Sequence, residues 1–152
     1  MIDFTLSQYI QTTILGGLLG TGGMTLVLYT FDKAGLANGD MVRAVGSLIT
    51  KNYKNSIAPG LVIHFSSGIL FSIIYAIIID LFNPNSIEQS ISYGIATSVF
   101  HGAVVALMLV VAAEHHPIEK FQKATFSVAA LHWGAHIVYG FIIGLIVGVT
   151  TI

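Results

Sequence analysis

The sequence predicts an all-α membrane protein: a polytopic four-helix bundle of two helical hairpins repeated in parallel, with a short amphipathic helix between spans one and two. Three observations carry that prediction. Of 152 residues, 55% are hydrophobic and 9% charged, against about 25% charged in a soluble domain. Such a chain cannot cover a globular surface with polar groups, so lipid must solvate much of it. Four long apolar stretches alternate with helix breakers, and all six basic residues fall in two of the connections between them.

The four spans form a single transmembrane domain over 1–152, at about 9–29, 60–82, 90–113 and 124–149. The start, MIDFTLSQYIQTT, has neither a basic n-region nor a small-residue cleavage pattern, so the first span is expected to remain in the membrane. That span crowds Gly16, Gly17, Gly20, Gly22 and Gly23 into its middle, which lowers helix propensity but permits close interhelical contact. In the long polar connection after it, Met41, Val42, Val45, Leu48 and Ile49 recur at helical spacing opposite Arg43, Ser47 and Lys51. Asn38 or Asp40 can cap this segment, which reads as an amphipathic helix at the membrane surface or as an ordinary loop helix. Pro59 introduces span two, Asn83-Pro84-Asn85 stops it, and Glu114-His115-His116-Pro117 stops span three.

Span four contains LHWGAHIVYGFIIGLIVG (131–148), eighteen residues without a formal charge. His132 and His136 are four apart, and the same face continues through Gly140, Gly144 and Gly148. Such a stripe lets another backbone or a flat ligand approach closely. At an offset of 68 residues, IHFSSGILFSIIYAIII from Ile63 lies over LHWGAHIVYGFIIGLIV from Leu131, with His64 on His132 and Ser72 on Gly140. This pairing suggests a parallel repeat about an axis along the membrane normal. Lys33, Arg43, Lys51 and Lys54 follow span one, and Lys120 and Lys123 follow span three. The positive-inside rule therefore puts both loops in the cytoplasm and both termini outside, in a multi-pass protein of the cytoplasmic (inner) membrane.

The Gly-rich first helix with Met24-Thr25, followed by His64-Phe65 and Gly68, resembles small bacterial four-helix integral membrane proteins of uncharacterised function. That resemblance covers most of the chain and implies a fold rather than an activity.

The histidines carry the functional expectation. With about 1.5 Å of rise per residue, His101 and His136 lie about 17 Å in from the cytoplasmic boundary, His132 about 11 Å and His64 about 6 Å. His115 and His116 lie at the boundary. Three chemistries fit this arrangement. Haem b takes one imidazole from each of two helices, with small residues where the porphyrin lies flat; here His64, His101, His132 and His136 are the candidate ligands, beside Gly140 and Gly144. The spacing of His101 and His115, fourteen residues, is similar to that in di-haem cytochrome b bundles, although a second helix with that spacing is missing. A transition metal such as Fe, Zn or Cu(II) could be held by Glu114, His115 and His116 meeting His64 and His132, or by His101 with His136. A relay of imidazoles could instead pass protons. Against all three stands the plain alternative that each histidine donates to a backbone carbonyl and fixes helix register.

Other chemistry has little support. The chain has no cysteine, which excludes disulfides and thiolate sites. It has no phosphate-binding loop, no G-x-S-x-G and no paired intramembrane carboxylates. The net charge of −1 points to no nucleic acid. The expected role is a haem- or metal-binding accessory or electron-transfer subunit of a membrane complex, rather than an independent enzyme. Its partners are the lipid bilayer and either other membrane-protein subunits or further copies of itself. The rival role is a non-redox scaffold or a small oligomeric transporter.

Overall fold

Four of the five α-helices in the computed structural model, which describes residues 5–151, are long and apolar enough to cross a membrane. They are α1 (Leu6–Lys33), α3 (Ile57–Leu81), α4 (Ile87–Ala113) and α5 (Phe126–Thr151), with the short α2 (Met41–Thr50) between the first two. A 3-10 turn, Glu119–Phe121, lies between α4 and α5. The architecture is thus the expected helical bundle, with the short amphipathic helix α2 between the first two spans.

Helix ends follow from local capping. α1 begins three residues earlier than expected because Thr5 and Gln8 form a capping box, each side chain serving the other's backbone N–H. α4 likewise begins early, with Ser86 Oγ accepting from Gln89 N. α3 starts at Ile57, so that Pro59 falls in the first turn, where an N–H has no helical acceptor. Asp40 stands at the N-cap position of α2 but makes no side-chain cap; its carboxylate is engaged elsewhere.

Helix α5 is the centre of the bundle, packed by α4 on one side and α1 on the other, with α3 in the angle between α1 and α5. The α4–α5 contact is the most extensive, and small residues make it possible. Ser90, Gly94, Ser98, Gly102 and Ala106 form the buried face of α4. A Cβ at Gly140 would strike Gly94 O and Ser98, and one at Gly144 would strike Ser90 O and Ile91 Cα. The backbone of α4 fills this stripe, so the flat-ligand role expected of Gly140 and Gly144 gives way to helix packing. On α1 the buried positions Thr12, Gly16, Gly20, Met24 and Leu28 recur with the same fourfold step.

Gly17 of α1 lies against Gly68 and Ile69 of α3. Ser72 Oγ donates to Thr13 O across the same contact, and Tyr139 OH donates to Gly68 O at 2.5 Å. Outward-facing side chains such as Phe100, Leu107 and Val111 on α4 are apolar and exposed, as a lipid-facing surface requires.

Candidate functional site: a histidine cavity

Three of the expected histidines converge on one cavity of about 170 Å³ inside the bundle. His64 comes from α3, His101 from α4 and His136 from α5; Thr21, Ser67 and Tyr139 add polar groups, and Met24, Met41, Phe71 and Val105 add apolar wall.

The hydrogen bonds define each ring. His136 Nδ1 is 2.7 Å from His132 O, and His132 Nδ1 is 2.8 Å from Val128 O. A carbonyl only accepts, so both neutral rings carry hydrogen on Nδ1 and a lone pair on Nε2. His64 Nε2 is 3.1 Å from Thr25 Oγ1, whose own hydrogen goes to Thr21 O at 2.7 Å. His64 therefore donates from Nε2 and keeps its lone pair on Nδ1. His101 is stacked on Phe71 with ring centres 4.3 Å apart, and meets His136 edge to face at 5.1 Å. Its Nδ1 is 3.1 Å from Tyr75 OH. Its Nε2 is buried and has no hydrogen-bond partner among the described residues, and the same is true of Thr21 Oγ1 on the cavity wall.

The other expected ligands lie elsewhere. His132 is buried one turn nearer the loops and lines a separate apolar pocket, together with His116. Helix α4 ends at Ala113, so His115 does not share a helix with His101 and the di-haem spacing loses its geometric meaning. Glu114 and His115 are exposed. His116 turns back to α2: its Nδ1 accepts from Ile118 N at 3.1 Å, and its Nε2 donates to Ala44 O at 2.9 Å. The expected cluster of Glu114, His115 and His116 with His64 and His132 is not assembled. No group of three or more His, Asp or Glu among the described residues is placed to hold a metal ion.

At the loop end, Asp40 Oδ2 accepts from Tyr53 OH at 2.8 Å and from Lys120 Nζ at 3.2 Å. Burial alone would lower the pKa of the Lys120 ammonium, but its hydrogen bonds to Tyr53 OH and to the Asp40 carboxylate raise it above its ordinary value. Arg43 lies over the Tyr53 ring at 4.5 Å and donates to Tyr53 O at 2.7 Å. This network ties α2, the α2–α3 connection and the α4–α5 loop together.

A family model described as a family of unknown function (DUF6789) matches residues 7–151. The chain belongs to this family. No curated protein and no solved structure matches the chain. In this DUF6789 chain the sequence reading did not assign Thr21, Thr25, Phe71, Tyr75 and Tyr139 to the site. Tyr139 had a usable signal, since it lies three residues after His136 on the same helical face. Phe71 and Tyr75 come from α3 at a contact that only the assembled bundle defines.

Proposed function

We propose that this protein is an integral membrane protein of the cytoplasmic membrane that holds a first-row transition metal ion between His101 and His136. In this reading it serves as an accessory or electron-transfer subunit of a membrane complex, with other subunits or a second copy as partner. The basic loops lie in the cytoplasm and both termini outside, as the six-to-none distribution of Lys and Arg favours.

The observation that carries the proposal is His101 Nε2, buried without a partner beside His136. An unmet buried polar atom costs about 1–3 kcal/mol, and a bound ion would remove that cost. His136 supports it from the other side, because a ligating histidine usually fixes its second nitrogen on a carbonyl, as this one does. Imidazoles without cysteine suit Fe, Zn or Cu(II). Two protein ligands leave positions for water or for an exogenous ligand. Size favours an ion over haem, since 170 Å³ is well below the roughly 300–1,000 Å³ of ligand and cofactor pockets. Rings meeting edge to face at 5.1 Å also leave no gap for a macrocycle between them.

A second reading, a proton relay, is favoured by the continuous contact from Tyr75 through His101 to His136. One experiment separates the two: metal content and thermal stability of His101→Ala, His136→Ala and the double variant. A shared ion predicts that either single change releases the metal and that the double change costs little more than one. Independent hydrogen bonds or a relay predict additive losses, on the order of 0.6 kcal/mol each, with metal content unchanged; that outcome would refute the metal site.

A further inference from the structure

The histidine cavity has a neighbour. A polar crevice of about 390 Å³ opens at the basic-loop end of the bundle, among Asp32, Lys33, Arg43, Tyr53 and Lys120. Its inner wall includes Thr25 and His64, and two residues, His64 and Met41, line both the crevice and the histidine cavity. Their placement has a structural cause. Met41 is the first residue of α2, which is pressed against the start of α3 where Gly46 meets Ser56 O and Gly60 meets Val42 O. His64 is anchored to α1 through Thr25. The two residues that both spaces share are thus one fixed imidazole and one unbranched, flexible thioether side chain.

The chemistry on each side fits passage of a small cation. The crevice is lined by three cations and two carboxylates, and Asp40 already engages Lys120 and Arg43, so little net charge opposes access. Beyond His64 the cavity wall has no Lys or Arg; it offers hydroxyls and neutral imidazole nitrogens. The cavity has room for more than one water, each of which takes about 30 Å³ of liquid volume. Polar groups at membrane depth characteristically line such water-filled space.

We propose that the crevice is the vestibule of the histidine cavity, and that water and small cations reach His101 and His136 from the basic-loop end through the constriction between His64 and Met41. The choice of cargo rests on the metal-site reading; the route itself is tested with no metal present. The absence of cysteine makes the test direct. Ser67→Cys places a thiol inside the cavity and Ile57→Cys places one in the crevice. Each is exposed to a membrane-impermeant quaternary-ammonium methanethiosulfonate, added in turn to either side of sealed vesicles. The side that labels Lys54→Cys defines the basic-loop end. The proposal expects both thiols to react from that side alone. It also expects Met41→Trp to abolish labelling at position 67 while leaving position 57 reactive, which shows that the fold survives. Reaction at 67 from the opposite side, no reaction at 67 while 57 reacts, or labelling at 67 indifferent to Met41→Trp would each overturn the route. Metal content of the unmodified protein reports separately on the site itself.

Discussion

His116 and His101 are both histidines beside helix ends or helix contacts, yet their nitrogens are used in opposite ways. Both nitrogens of His116 are occupied, one by Ile118 N and the other by Ala44 O, so this ring clasps the α4–α5 loop to α2. His116→Ala takes away the acceptor of Ile118 N and the tie to Ala44 O, and should lower stability by about 1–3 kcal/mol, read as a fall in melting temperature with metal content unchanged. The exposed Glu114 and His115 should tolerate alanine within about 0.5 kcal/mol in the same assay. The sequence showed that six histidines crowd one half of the bundle, but not which of them are spent on structure. Glu114-His115-His116 has the composition of a ligand cluster. Its fate is decided by Pro117 and the turn after it, which aim His116 at a carbonyl 72 residues away. Conversely, Phe71 and Tyr75 bear on His101 only because α3 and α4 meet there. No spacing along one helix encodes that meeting.

Among the elements, α4 and α5 owe their contact to residues without bulk. Gly144→Ile would drive a branched side chain into Ser90 O and Ile91 Cα, and overpacking of this kind costs about 1–3 kcal/mol or more. The expected outcome is loss of folded protein in a thermal-stability or detergent-extraction assay. Gly134 has open space where its Cβ would stand, so Gly134→Ala should be tolerated; equal damage at both positions would contradict the packing account. The small-residue stripe of α5 was legible in advance because its fourfold spacing is a property of one helix. Which helix covers it was not, since shared apolarity makes every span an equally good partner by composition. Helix starts were misplaced by about three residues at α1 and α4 for a simpler reason: hydropathy marks where the apolar stretch begins, whereas Thr5-Gln8 and Ser86-Gln89 mark where the backbone begins to coil.

For the whole molecule, the alternation of four long helices gathers Lys33, Arg43, Lys51, Lys54, Lys120 and Lys123 at one end. Cysteines replacing Lys54 and Lys123 should both react only from the cytoplasmic face; labelling of either from outside intact cells would reverse the orientation. The four-span bundle could be read from composition and breakers alone, because a chain this apolar has few other ways to satisfy its backbone. The cavity could not, since it is a space left between five helices rather than a pattern in any of them. Whether His101 and His136 share one metal ion, as proposed, can be read from X-ray absorption by the metal in purified protein. The expected first shell contains two imidazole nitrogens at about 2.0–2.1 Å, with the signal lost in His136→Ala. Protein that retains no metal after purification and metal loading, or a shell unchanged in His136→Ala, would contradict it.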